Sequence, residues 1–302
     1  MDYKRFKEEL LALVQHEAGE ELKVEIMQTI RINEGETDNL TIRAEGERAA
    51  PVIPMSMLYF MYSKGENLAS LAARAMHFYR DRDLQDEQEF EQCLNREYLL
   101  EHLQPRLIGQ KGNEKLLEQV PHSAWLNLAV VYYCVLEQIG EHSGGILIRH
   151  EHLKLWDLTE KDLEKMAWEK VRQQNPAAIY TMTDLMTELL GEQGEEEMIL
   201  PESDGPRMYV VTNQTRTYGA CWITQKEIQE ALEKCLEDDY FMLPSSLHEC
   251  MVVPCGCEME ADHLLSMVCE INATQVSVED RLSDAIYRYD RKTGSMRLVE
   301  ER

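Results

Sequence analysis

The chain is 302 residues long, with 31 basic against 56 acidic side chains, a formal charge of −25 at neutral pH and 44% hydrophobic residues. That composition is globular rather than disordered, and at roughly 150 residues per domain the length predicts about two domains. So large an excess of negative charge repels phosphate backbones and anionic lipid, which excludes nucleic-acid binding through a basic face and adsorption to a membrane.

Residues Asp2 to His16 place Phe6, Leu10, Leu13 and Val14 at helical spacing, which predicts a first helix with one buried stripe. Lys23 to Ile32 and Leu40 to Ala44, split by the turn-like Asn33-Glu34-Gly35-Glu36, predict a β-hairpin. Pro51 and Pro54 lead into a helix over Met55 to Tyr62, and Lys64-Gly65-Glu66-Asn67 starts another over Leu68 to Tyr79. Residues 1–80 therefore form a helix–strands–helices unit. Residues 81–101 carry eight acidic side chains against Arg82 and Arg96 and predict a charged helical connector.

A central block spans residues 102–190. Its run Trp125 to Ile139 is rich in β-branched and aromatic residues and predicts one long strand, turning at Gly140 to Gly145 into a second strand that ends at Arg149. Thr159-Glu160-Lys161-Asp162 has the form of a capping box, with Leu163, Met166, Ala167 and Val171 as the buried face of the helix behind it, ended by Pro176. Residues 191–206 form an acidic Gly/Pro loop with six carboxylates and no basic residue. Residues 207–302 form a C-terminal block. The pattern there predicts strands at Met208–Thr212, Tyr218–Ile223, Tyr240–Leu243 and Glu249–Val253, helices at Gln225–Leu236 and Met259–Ile271, and a closing hairpin from Ala285 to Val299. Strands and helices mix without a βαβ rhythm, so the fold class is α+β, with mixed, largely antiparallel sheets and flanking helices.

No secretory signal follows Met1, and the most apolar stretch, Leu126 to Leu136, is too short for the ~20 residues that span a bilayer. Eight cysteines in a chain of this length do not make a disulfide scaffold. A reducing, cytoplasmic location is expected. Phosphate-loop, dinucleotide, serine-elbow and zincin motifs are all absent, and no cofactor is expected.

Three constellations could carry chemistry. His248, Cys250, Cys255 and Cys257, with His263 and Cys269 downstream, are soft ligands of the kind zinc prefers, but Cys-x-Cys is tighter than a zinc knuckle and has no second half. Buried structural cysteines are the favoured reading. His142, His150, Glu151 and His152 would share a metal only if the strand continued through them; a short helix over Glu151–Trp156 that anchors Trp156 is favoured instead. Ser245, Ser246, His248 and Glu249 invite a catalytic triad, yet triad partners normally come from separate segments, and turn-forming serines explain the run more simply. Asn213, after a predicted strand, likewise reads as a turn residue.

Glu151-His152-Leu153 with Leu155-Trp156, Met208-Tyr209-Val210 with Thr212-Asn213, and Leu243-Pro244-Ser245-Ser246 with His248-Glu249 occur here together with Ile271 to Val276, Leu282-Ser283-Asp284 and Tyr287 to Asp290. In that combination the chain resembles, over essentially its full length, an uncharacterised family of gut Clostridia and related Firmicutes catalogued as a domain of unknown function. In element order it is more loosely similar to the YtpQ-type family of bacilli, also uncharacterised. His150 stands where that family would have Asn, and the Cys250–Cys257 cluster looks particular to this chain, which weighs against a metal. The resemblance implies a cytoplasmic bacterial protein and supplies no activity.

The expectation is a non-enzymatic module that binds a protein or peptide through Glu151, His152, Asn213, Ser245, Ser246, His248 and Glu249, without a metal. The rivals are a metal-assisted hydrolase using His248, Cys250, Cys255 and Cys257 or the His150/His152 pair, and an acidic mimic of nucleic acid.

Overall fold

The computed structural model describes residues 1–46, 52–81, 96–135, 145–191, 208–244, 246–256 and 260–301. The chain divides into two compact units, Met1–Leu99 and Leu100–Arg302. Both are α+β, and among the described residues every strand pairing is antiparallel.

In the first unit, α1 (Tyr3–Ala18) begins at Asp2, whose carboxylate accepts from the Arg5 N–H at 2.9 Å. This satisfies one of the orphan donors of the first turn. The hairpin β1 (Leu22–Arg31) and β2 (Gly35–Ala44) turns on Asn33 and Gly35, at φ of 61° and 70°; β3 (Val52–Pro54) pairs with β2. Two helices follow, α2 (Met55–Ser63) and α3 (Leu68–Arg80), the latter capped by Asn67. Phe6, Leu10 and Val14 of α1 meet Leu40, Ile42, Leu58, Leu71 and Met76 in one core. Of the stripe read from the sequence, Phe6, Leu10 and Val14 are buried, whereas Leu13 is exposed at the edge of that face.

After α4 (Arg96–Glu101), whose residues fall on both sides of the Leu99/Leu100 division, the second unit continues with β4 (Leu103–Gly109), a strand that the sequence pattern does not announce. After α5 (Glu114–Leu117) come β5 (His122–Trp125), β6 (Leu128–Val135) and β7 (Gly145–Leu147), which complete a four-stranded sheet with β6 between β4 on one side and β5 and β7 on the other. The single long strand expected from Trp125 is therefore two. Leu126, at φ 55°, turns the chain back so that Trp125 pairs with Leu128. Of the turn expected at Gly140 to Gly145 only Gly145 is described, and it opens β7; most of the 81–101 connector and nearly all of the 191–206 loop also lie outside the described residues.

Next come α6 (His150–Trp156), α7 (Glu160–Gln174), β8 (Ala177–Thr181), α8 (Met182–Gly191) and β9 (Tyr209–Asn213). Thr159 and Asp162 form the reciprocal cap of α7, with Asp162 N–H to Thr159 Oγ1 at 3.2 Å and Thr159 N–H to Asp162 Oδ2 at 3.1 Å. Residues Tyr218–Ile223, expected as a strand, instead form a 3₁₀ helix over Gly219–Thr224. The reason lies outside the local pattern. Ala220, Cys221, Trp222 and Ile223 are all buried, and a fully buried apolar run carries no period that separates strand from helix.

The rest is α9 (Lys226–Leu236), β10 (Tyr240–Leu243), β11 (Cys250–Pro254), α10 (Ala261–Thr274), β12 (Ala285–Asp290) and β13 (Ser295–Glu301). These strands build a six-stranded sheet in the order β13-β12-β10-β11-β9-β8. On one face, Phe241, Leu243, Val253 and Ile286 pack under Leu264, Leu265 and Val268 of α10. On the other, Tyr240 and Tyr289 stack at 4.8 Å, and their hydroxyls donate to the Gln229 carbonyl and Glu233 of α9. Coverage on both faces explains why Tyr240–Leu243 is apolar without alternation. Among the described residues no helix is long and apolar enough to cross a membrane.

Candidate functional site

The sequence-predicted candidates gather in part at the ends of β9 and β11. Asn213 closes β9 with its side chain buried. Its Nδ2 donates to the Thr217 carbonyl at 2.8 Å, and its Oδ1 accepts from the Thr217 N–H at 3.1 Å and the Thr215 hydroxyl at 3.2 Å. One amide thereby folds residues 213–217 into a fixed bend, so Asn213 shapes the loop from within.

That bend delivers Tyr218 in the left-handed region, at φ 56°, which is uncommon for an aromatic residue. Gly219 follows in tight contact: a Cβ there would lie 2.5 Å from the Asn213 nitrogen and 2.5 Å from Thr212 Oγ1. Only glycine fits so close to a buried strand.

Opposite sits the segment 246–249. The His248 carbonyl accepts from the Gly219 N–H and the Thr212 hydroxyl, both at 2.9 Å. Its ring Nδ1 accepts from the Tyr218 N–H at 3.1 Å, and its Nε2 lies 3.3 Å from Asp280 Oδ1. With a backbone donor at Nδ1, the ring proton belongs on Nε2, directed at the carboxylate. In that tautomer Nδ1 is occupied by the backbone of Tyr218 and Nε2 faces a carboxylate. Ser246 Oγ accepts from the His248 N–H at 3.0 Å, the local turn bond expected of a serine here. Glu249 is half-buried; Ser245 lies outside the described residues.

The cysteines do not converge with it. Cys250 is fully buried, its thiol 3.9 Å from the Ala220 carbonyl, and burial pushes that thiol well above its ordinary range. Burial likewise pushes Cys221 up to about 12. Cys255 is half-buried, Cys269 packs against the core under α10 and His263 is exposed on that helix; Cys257 lies outside the described residues. Among the described residues no group of three or more His, Cys, Asp or Glu side chains could hold a metal ion.

The histidine pair is separated as well. His150 and His152 lie on α6, where positions two apart point to different sides. His150 Nδ1 is 3.5 Å from Glu160, whereas His152 Nδ1 accepts from the Arg149 N–H at 3.1 Å and its ring stacks on Trp156 at 5.3 Å. Burial, and secondarily Arg149, holds the His152 imidazole below its ordinary pKa. Glu151 is exposed, and His142 lies outside the described residues.

The residue that sequence reasoning missed is Arg106. It projects from β4, and its guanidinium carbon lies over the Tyr133 ring at 4.0 Å and over the Tyr218 ring at 3.5 Å. Tyr218 in turn packs on His248 at 4.9 Å, so the 213–219 bend, the His248 segment and the four-stranded sheet meet at this point. At 3.5 Å two flat groups are in stacking contact, a geometry worth about 0.5–2 kcal/mol depending on desolvation. Burial pushes the Arg106 pKa down, offset by the neighbouring Tyr218, Tyr133 and Cys221. Its Nε is covered and has no hydrogen-bond partner among the described residues. By contrast Arg43 meets Glu25 at 2.8 Å, Arg172 meets Glu227 at 2.8 Å and Arg288 meets Asp239 at 2.7 Å. A covered donor left unpaired costs about 1–3 kcal/mol, at Arg106 Nε as at Arg288 Nε. A lone arginine in a strand carries no sequence signal, because its partners are 27 and 112 residues away.

A hollow in the first unit, lined by Gln15, Glu20, Glu21, Lys23, Arg43 and Glu45 among others, is less suited to a ligand. Its two cations are already bonded to Glu25.

A model of a family of unknown function, DUF5688, matches residues 3–291. The chain belongs to DUF5688. No curated protein and no solved structure matches it. Family membership therefore leaves the role of this DUF5688 chain to be argued from its own geometry.

Proposed function

We propose that this chain is a cytoplasmic protein that acts by binding a protein or peptide segment without turnover, at the surface where Arg106, Tyr133 and Tyr218 meet. The observation that carries this reading is the trio itself: one arginine in contact with two tyrosine rings, each residue partly exposed, with Tyr218 presented by the bend that Asn213 fixes. Arginine and tyrosine are the residue types that dominate binding energy at protein interfaces, and a pre-ordered surface loses little entropy when it is covered. The backbone hydrogen bond at His248 Nδ1, the Asp280 carboxylate 3.3 Å from its Nε2, and the buried thiols of Cys221 and Cys250 favour binding over catalysis at the same place.

The test is capture from native cytoplasm by the full chain, compared with Tyr133→Ala and Tyr218→Ala variants that melt cooperatively. The reading expects one protein retained near stoichiometry by the wild type and lost from both variants. Equal retention by all three, or none by the wild type, overturns it.

A further inference from the structure

The sheet of the first unit has one long open side. Among the described residues β1 has a single strand neighbour, β2, and pairs with it without a shift from Leu22 opposite Ala44 to Arg31 opposite Gly35. In an antiparallel ladder the N–H and C=O of one residue point to the same side, and successive residues alternate between sides. Thr41 and Thr37 of β2 donate their hydroxyls to the carbonyls of Glu25 and Thr29, so the odd-numbered residues of β1 face β2 and the even-numbered ones face outward. One end of that outer edge is already closed. Gln15 of α1 donates from Nε2 to the Leu22 carbonyl at 3.1 Å and accepts at Oε1 from the Val24 N–H at 3.2 Å, so its amide stands in for one rung of a neighbouring strand. Nothing among the described residues does the same for Ile26, Gln28 and Ile30. The stretch Ile26 to Ile30 is uncharged, and Met27 within it is 47% exposed. Sheet edges are normally blunted by charge, proline or brevity, as β3 is on the other side of this sheet, with three residues ending at Pro54.

We propose that β1 pairs antiparallel with β1 of a second copy of this chain, about a two-fold axis at Gln28, which joins two three-stranded sheets into one of six strands. The open rungs fix the register. Gln28 meets the partner's Gln28 and Ile26 meets the partner's Ile30, so the three outward residues of each copy exchange backbone bonds at every rung. The adjacent register on one side would need the Val24 N–H that Gln15 holds, and would set Lys23 against the partner's Arg31. The adjacent register on the other side would need Ile32, past the end of the strand, where Asn33 at φ 61° turns the chain away. The partner strand therefore ends where the Gln15 amide begins.

The side chains agree with that register. Met27 meets the partner's Thr29, and Glu25 meets the partner's Arg31. Glu25 lies 2.6 Å from Lys23 and 2.8 Å from Arg43, and Arg31 lies 4.0 Å from Glu34, so the ion pairs of the two copies meet in opposite sense. β1 carries Lys23 and Arg31 against Glu25 alone, so this edge brings no excess negative charge to the contact although the chain as a whole stands at −25. A two-fold contact of this kind is closed, and the assembly stops at two copies.

Sedimentation of the full chain from micromolar to near-millimolar concentration, at about 0.15 M salt, should show a reversible monomer–dimer equilibrium and no larger species. Gln28→Pro removes an outward N–H and no bond to β2, so it should abolish the dimer while the chain still melts cooperatively. Arg31→Glu sets like charges together at both ends of the paired stretch and should raise the dimer dissociation constant about tenfold. Oxidation of Gln28→Cys reads the register. Paired α-carbons about 5.5 Å apart lie within disulfide reach, so a link between position 28 of two copies should appear on peptide mapping. Lys23→Cys, beside the Gln15 plug, should give no such link. A chain that stays monomeric at every concentration overturns the proposal, as does a dimer that survives Gln28→Pro. Should Gln28→Pro fail to fold, the cysteine variants decide, and the absence of a link at position 28 overturns it.

Discussion

The bend that presents Tyr218 hangs on Asn213, and its removal should be felt as lost stability. Asn213→Ala deletes three hydrogen bonds, at 2.8, 3.1 and 3.2 Å, and leaves the backbone N–H and carbonyl of Thr217 without these partners. At about 1 kcal/mol net for each bond, the expected loss is about 3 kcal/mol. The unit Leu100–Arg302 is of a size at which each kcal/mol moves the melting temperature by about 2–4 °C, so the midpoint should fall by about 6–12 °C. Asn213→Asp is the sharper variant. It keeps an acceptor for the Thr217 N–H but sets a second oxygen against the Thr217 carbonyl where an N–H now donates. Its destabilisation should therefore grow as pH rises and the introduced carboxyl ionises. Urea denaturation followed by circular dichroism, at pH 5 and pH 8, measures both variants; a lower midpoint with an unchanged slope is a stability effect. An Asn213→Ala loss below about 0.5 kcal/mol, in the range of ordinary surface substitutions, would refute the assignment of Asn213 as the staple of this bend.

Two further outcomes follow from the second unit. Trp156 is 6% exposed and carries the stacked His152 ring, so Trp156→Ala should cost about 3–5 kcal/mol in the same assay, and an unchanged midpoint would remove it from the core. His152 is held below its ordinary pKa by burial, so the unfolded chain binds a proton near pH 6.5 that the folded chain resists. Its contribution to stability is present above about pH 6.5 and is lost as pH falls toward the lower folded value, where it levels off; His152→Gln should flatten that part of the stability–pH curve.

Much of the fold is legible along the chain because it depends on near neighbours. Phe6, Leu10 and Val14 repeat at the pitch of a helix and are buried as a stripe; Thr159 and Asp162 cap the helix that their spacing describes; Asn33 and Gly35 supply the positive φ that the first hairpin needs. Where the signal is not local, the sequence misleads or is silent. Ala220 to Ile223 look like a strand and form a 3₁₀ helix, because burial on every side removes the polar residues that would set a period. Leu126 breaks a run of strand-forming residues with a backbone angle that its side chain does not advertise. Leu103–Gly109 is a strand because β6 lies beside it, with Leu103 opposite Cys134 and Gly109 opposite Leu128.

The candidate site divides in the same way. Asn213, Ser246 and His248 stand out in the sequence as polar residues at strand ends, and all three bond within a few residues or to the adjacent loop. Composition and charge alone carry the expectation of no nucleic-acid binding through a basic face, since Coulomb repulsion depends on how many charges there are more than on where they sit. Which side chains are spent and which remain available is settled only by the fold. His248 is occupied by a backbone donor 30 residues earlier, and Arg106 lies against two rings that come from another strand and from a distant bend. Contacts between residues far apart in the chain form only when the whole unit closes, and no short window of sequence contains them.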